Sequence, residues 1–291
     1  MKKGCFIIFA CFSSLLDAQP YLDVAKLTYS YSPRSGLGNK LIPLESQFYN
    51  ISVTVPIELK KDGDAFILNP FFDHNQGNVS TKDFEIVSQG VLLGFLKKDI
   101  LKNWNLLSSF ILRRNKQAEK RIDNPLQYGG VILTTWKRNQ FASLKFGIYY
   151  NKEFFGNYFI PLIGIDWKIN EKNNLFGVLP GNMSFEHKVS ETFYYGSTFR
   201  ALTNSYRLPT IDPCFSGDCS AKNYVRIDDN QFGVFSDVYF SKKFVLNAEI
   251  GYTILRRYRF GFKGDNIHLR TDYKNDNFYF RTSLAYRLRF R

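Results

Sequence analysis

The chain has 291 residues, 44% of them hydrophobic and 17% aromatic, and a formal net charge of +13. Its Lys and Arg residues are spread along the whole length, which argues against a nucleic-acid-binding protein and makes anionic lipopolysaccharide, or a small anion crossing a pore, the natural counter-charge. Length alone admits a single all-β domain, either a soluble sandwich or a barrel.

In chain order, Met1-Lys2-Lys3, the apolar run from Cys5 to Leu16 and the small-residue boundary Asp17-Ala18-Gln19 have the layout of a secretory signal, with cleavage expected after Ala18. The run is shorter than the roughly 20 residues of a membrane-crossing helix. This divides the chain into a leader, 1–18, and one domain, 19–291. Cleavage removes Cys5 and Cys11 and leaves Cys214 and Cys219 around a Ser-Gly-Asp turn, an expected small disulfide loop. A metal pair is the rival reading there, but neither a His nor a third Cys lies nearby.

Period-two alternation then recurs to the carboxyl end. Expected strands are 24–32, 47–59, 65–73, 84–96, 104–114, 126–136, 141–150, 158–169, 175–180, 183–189, 193–206, 231–240, 244–255 and 278–290. Short connections such as Lys60 to Asp64, Lys137 to Gln140 and Ser241 to Lys243 alternate with longer ones such as His74 to Asp83, Arg207 to Asn230 and Arg256 to Asn277. Tight turns at one end and larger loops at the other are the mark of an up-and-down transmembrane barrel. The fold class is therefore all-β, an antiparallel up-and-down transmembrane β-barrel of 14 strands, or 12 if the hairpin 175–189 does not cross.

Trp104, Trp136 and Trp167 each sit beside a short turn, and with Phe290 they form an expected aromatic interface girdle. In the last strand Phe278, Phe280, Leu284, Tyr286, Leu288 and Phe290 share one face, and Tyr279, Arg281, Ser283, Ala285, Arg287 and Arg289 the other. The block Phe159 to Gly181, continued by Phe185-Glu-His-Lys188 and Phe193 to Arg200, resembles outer-membrane β-barrel proteins of unknown function from Gram-negative, Bacteroidetes-type bacteria. That resemblance implies a location in the bacterial outer membrane, with its lipids, lipopolysaccharide and insertion machinery as partners, and carries no catalytic motif.

Following the inward face by parity proposes Lys145, Asp166, Lys168, Glu186, Lys188, Arg200, Asp237, Glu249, Arg281, Arg287 and Arg289 as lumen-lining residues. A cation facing the bilayer midplane costs about 2 to 4 kcal/mol, so such charges must turn inward. They either knit the inner wall together or make a mostly cationic, anion-preferring lumen. Enzyme chemistry is not expected: Ser184 and His187 fall on opposite faces, and an Asp73–His74 rim dyad is the weak hydrolase alternative. Asp265, His268 and Asp272 lack a fixed ligand geometry, and no cofactor is implied. Two activities compete. One is a passive pore for small, possibly anionic solutes or an envelope scaffold; the other is a binding or adhesion module working through its loops. A secreted polysaccharide-binding sandwich is the remaining alternative.

Overall fold

The computed structural model describes residues 20–34, 44–59, 63–79, 82–118, 125–208, 224–261 and 271–290. The leader and the Cys214–Cys219 loop lie outside these residues. The described chain is all-β. In order it forms β1 (Tyr21–Ser32), β2 (Leu44–Val53), β3 (Val55–Glu58), β4 (Ala65–Val79), β5 (Lys82–Leu101), β6 (Trp104–Gln117), β7 (Leu126–Lys137) and β8 (Ala142–Glu153). It continues with β9 (Gly156–Lys168), β10 (Asn173–Leu179), β11 (Asn182–Lys188), β12 (Phe193–Arg207), β13 (Tyr224–Tyr239), β14 (Phe244–Gly261), β15 (Thr271–Lys274) and β16 (Phe278–Arg289).

β2 and β3 are two halves of one wall strand, both paired with β4, and β15 is an addition to the far end of β14. The wall is thus a closed antiparallel barrel of 14 strands with up-and-down topology. Closure comes from β1 pairing with both β2 and β16 while β14 pairs with both β13 and β16. A closed sheet leaves no free edge and satisfies its backbone groups around the tube. It also removes the two-sheet sandwich, in which greasy faces would pack on each other. Both β10 and β11 are paired into the wall, so the count of twelve falls as well.

The faces are inverted relative to a water-soluble protein. On β13, Phe232, Val234 and Val238 are exposed on the outside while Gln231, Asp237 and Tyr239 are buried within. On β16, Phe278, Phe280 and Leu284 face out and Tyr279, Ser283 and Arg287 face in.

Several strands run further than their hydrophobic alternation. β4 reaches Val79 and β5 starts at Lys82, so 74–83, expected as a long connection, is mostly strand. β13 begins at Tyr224 and β14 continues to Gly261, which shortens two other expected loops. His74-Asn75-Gln76-Gly77-Asn78 is polar on both faces, so it carries no period to read; the ladder from Tyr49↔His74 to Glu45↔Asn78 organises it instead.

One contact interrupts the simple tube. At the end away from the short turns, β6 meets β12 in parallel, Lys116 opposite Arg207. The joint leaves β7 to β11 out of the ring at this level, so the tube there runs from β12 through β13, β14, β1, β2, β4 and β5 to β6, with β6 and β12 themselves ending at the joint, at Gln117 and Arg207. A tube of about eight strands is just wide enough for its own side chains to fill. Ile86, Tyr206, Val225, Ile227, Tyr258 and Phe260 fill it as a buried cluster, with Phe84 and Leu208 packed against them.

Candidate functional site

The interior is the candidate site, and three clusters of side chains cross it. The first lies near the short-turn end. Arg287 donates from Nε to Asp23 at 2.5 Å and from Nη1 to Asp237 at 2.6 Å, and its guanidinium lies 3.6 Å from the Tyr21 ring centre. Arg289 binds both carboxylate oxygens of Glu186, reaching from β16 to β11, and stacks 3.8 Å over Tyr194. Tyr21 of β1 meets Phe176 of β10 edge-on at 5.5 Å, a contact between strands far apart in the wall. Tyr194, Tyr239, Val245 and Ala285 pack beside them. These groups together form a seal of paired charges and rings.

The second cluster is at mid-height. Arg200 grips Glu249 in a two-pronged bond of 2.7 and 2.6 Å. The same carboxylate accepts from Tyr279 at 2.6 Å and from Arg281 at 3.4 Å, and Arg281 also donates to Gln231 at 2.7 Å. Tyr279 lies over Gly233 and Gly251, where an added Cβ would come within 2.5 and 2.4 Å of it. Those glycines are therefore needed for close approach. Replacing Gly251 by Val should displace Tyr279 and lower the unfolding midpoint in urea; an unchanged midpoint would contradict the packing described.

The third cluster lies just beneath the β6–β12 joint. Arg113 donates to Gln127 at 3.0 Å, Asn204 at 2.8 Å and Glu153 at 2.5 Å. Glu153 also accepts from Asn151 at 2.5 Å, Gln127 at 2.8 Å, and the Ser205 hydroxyl at 2.5 Å and amide at 3.1 Å. Asn115 ties in through Gln127 and the Ser205 carbonyl. Its side chains are nearly all withdrawn from solvent, which is tolerable only because the charges are paired and hydrogen-bonded.

Of the lumen residues expected from parity, Glu186, Arg200, Asp237, Glu249, Arg281, Arg287 and Arg289 fall in the first two clusters. Lys145 pairs with Asp166 at 2.7 Å. Lys168 is exposed at the rim, and Lys188 binds the rim residue Glu191 at 2.5 Å. The interior is thus not a bare cationic wall, because acids outside the expected set, Asp23 and Glu153, offset Arg287 and Arg113. At mid-height one acid, Glu249, serves two cations, Arg200 and Arg281. Asp23 and Tyr21 escaped the sequence reading because the expected strand starts at residue 24, whereas β1 begins at Tyr21, and a register shift between Asp23 and Ala25 would have broken the parity there in any case. Arg113 has the inward parity and could have been found that way.

Outside the tube, Trp104 and Trp136 stack at 6.2 Å near the short turns, Trp167 is exposed, and Phe290 lies beyond β16, bonded through its amide to the Pro20 carbonyl. The weak hydrolase pair is split: Asp73 accepts from Asn50 at 2.6 Å, whereas His74 bonds Glu85 at 2.6 Å on the opposite face. Ser184 donates to Thr198 inside, and His187 bonds Asn173 outside. Among the described residues no group of three His, Cys, Asp or Glu is placed to hold a metal ion.

Residues 72–291 match the family model described as a domain of unknown function (DUF6268). Among curated proteins there is no match. Solved structures similar to the chain include the translocator domain of the autotransporter NalP from Neisseria meningitidis, at 10% identity over 93% of this chain and 89% of that one, with a TM-score of 0.42. The NanC porin is similar at 11% identity over 90% of this chain and 100% of that one, TM-score 0.38. A deletion mutant of the TodX monoaromatic hydrocarbon channel is similar at 10% identity over 96% and 92%, TM-score 0.42.

Proposed function

The chain belongs to the DUF6268 family, and we propose that it is an integral outer-membrane barrel with a sealed lumen, an envelope scaffold and not an enzyme or an open porin. Supporting the membrane assignment is the belt of exposed Phe, Ile, Leu and Val on the outer face of most wall strands, which is costly in water over so large an area and favourable in hydrocarbon. On this reading its surroundings are outer-membrane lipids and lipopolysaccharide, reached with the help of the outer-membrane insertion machinery. The short-turn end is the periplasmic one.

The observation that carries the sealed state is the pair of closures. Tyr21 against Phe176 with the Arg287 and Arg289 ion pairs shuts the periplasmic end, and the apolar cluster around Tyr206 and Tyr258 fills the external tier. A conducting path requires water along its whole length, so two seals in series make either one sufficient.

Planar-bilayer recording tests this. The wild-type barrel is expected to give no stable current steps. Tyr21→Ala with Phe176→Ala should stay silent, as should Tyr206→Ala with Tyr258→Ala. The fourfold variant should conduct and prefer anions, owing to the surplus guanidinium beside Glu249. Steady, wide steps from the wild type would reject the sealed state.

A further inference from the structure

The inner face is chemically two-sided. At mid-height β12, β13, β14 and β16 carry the charged cluster around Glu249, whereas β6 to β9 are apolar there. Paired rungs run Leu107–Leu133–Gly147–Leu162 and Ser109–Val131–Tyr149–Ile160 across those four strands. These positions share a face with Arg113, Lys145 and Asp166, which establishes that they point inward. None belongs to either buried apolar cluster, and Leu107, Val131, Ile160 and Leu162 are only half-buried although enclosed by the wall. Their partial exposure inside the wall marks an apolar bay between the periplasmic seal and the Arg113–Glu153 joint.

The wall beside this bay is incomplete. β10 pairs with β9 only along Ile163–Lys168, and β11 pairs with β12 only along Tyr194–Arg200. Above the β10–β11 hairpin, whose turn still takes the Ala201 amide at Pro180 and Gly181, 156–162 of β9 has only β8 as a strand partner and 202–207 of β12 has only β13 until the joint. Across the gap run a Tyr158–Thr203 hydroxyl bond of 3.3 Å and the bonds of Glu153 and Phe154 to Ser205 higher up.

The chain is adapted to this unpaired edge. Lys168 bonds toward β8 and Ile169 toward β10, so odd-numbered residues of β9 aim their backbone groups at the gap. Pro161 is one of these, and it has no N–H to leave unsatisfied. Outside the gap Phe159 and Ile163 are 60% and 63% exposed, and at its inner side Leu202 has the inward parity and is 41% exposed. Two residues along the same face is Arg200, which with Arg281 shares the single carboxylate of Glu249.

We propose that the bay binds one single-chain anionic amphiphile drawn from the surrounding bilayer through the β9–β12 slot, its acyl chain along the β6–β9 rungs and its head at Arg200 and Arg281. The proposal rests on the membrane-embedded reading above. Apolar walls select the chain, the surplus guanidinium selects the head, and an opening toward lipid selects a membrane-dissolved molecule over a water-borne one.

The folded barrel in neutral detergent, titrated with the fluorescent carboxylate 11-(dansylamino)undecanoate, should show saturable binding of one probe per chain, displaced by laurate. Leu162→Arg should weaken it at least tenfold. Arg200→Gln should weaken the carboxylate probe several-fold and leave its methyl ester unchanged. Leu202→Trp, which fills the inner mouth of the slot, should slow uptake at least tenfold in stopped flow and remains informative where Leu162→Arg does not fold. Absence of saturable binding by the folded wild type would overturn the proposal, as would binding and uptake indifferent to both Leu162→Arg and Leu202→Trp. A dimer that seats a second copy in the slot and excludes the probe would overturn it too. Failure of the membrane reading is separately visible, as release of the wild type from membranes by carbonate.

Discussion

Glu153→Ala is expected to destabilise the barrel by about 3 to 5 kcal/mol, the range for removing one partner of a buried ion pair. The carboxylate is wholly buried and receives Arg113, Asn151, Gln127 and both the amide and hydroxyl of Ser205. Its removal leaves a guanidinium and several donors without an acceptor where no water can replace it. Arg113→Leu in the same chain should recover part of the loss by removing the uncompensated charge. Recovery cannot be full, because the Ser205 amide and the Asn151 and Gln127 side chains still lack their acceptor. Urea unfolding in lipid vesicles, followed by the shift in gel mobility between folded and unfolded barrel, measures both variants. A loss below about 1 kcal/mol in Glu153→Ala, within the spread of ordinary surface changes and single hydrogen bonds, would mean that the joint does not hold the tiers together. The joint matters to the sealed state because it gathers β6 and β12 into the narrower tier that the Tyr206–Tyr258 cluster fills.

Val234→Arg separates the competing environments by the size of its effect. Val234 is 52% exposed on the outer face of β13, opposite Ile250 of β14 and flanked on its own strand by the exposed Phe232. On a soluble protein an exposed Val replaced by Arg would change stability by roughly 0.5 kcal/mol or less. Facing the middle of a bilayer, the same replacement costs about 2 to 4 kcal/mol, because the guanidinium must be stripped of water or drag water inward. The measurement is again urea unfolding in vesicles, with Lys168→Arg at the exposed rim as a control expected near zero. Equal, negligible effects at both positions would reject the lipid-facing belt and the outer-membrane assignment with it.

Much of the architecture was legible because it is written locally. Alternation in segments such as Phe278 to Phe290 requires only that neighbouring side chains leave opposite faces of a strand. Turns such as Asn170-Glu-Lys-Asn-Asn174 and Ser190-Glu-Thr192 are recognisable without knowing what lies beside them. Polar strand ends such as His74 to Asn78 were misjudged as loop because a strand that is polar on both faces has no hydrophobic period. The inward charges were reachable by counting parity, yet Asp23 fell ahead of the expected strand, beside an irregular pairing at the start of β1, and the near-complete matching of Arg287 and Arg289 by acids could not be counted from parity alone.

The amino-acid sequence by itself determined the class of the fold, the number of wall strands, the end that carries the short turns and which side chains turn inward on regular strands. Each of these follows from interactions between residues close along the chain or in adjacent strands. Only the tertiary structure decided that Arg289 would meet Glu186, Tyr21 meet Phe176, and Arg113 bind Glu153 beside β12. It also decided that β6 and β12 would join, that β10 and β11 would stop short, and that the apolar inward rungs would face a gap. Contacts across a tube depend on its diameter, its stagger and the relative heights of strands far apart in sequence, and no local period encodes those distances.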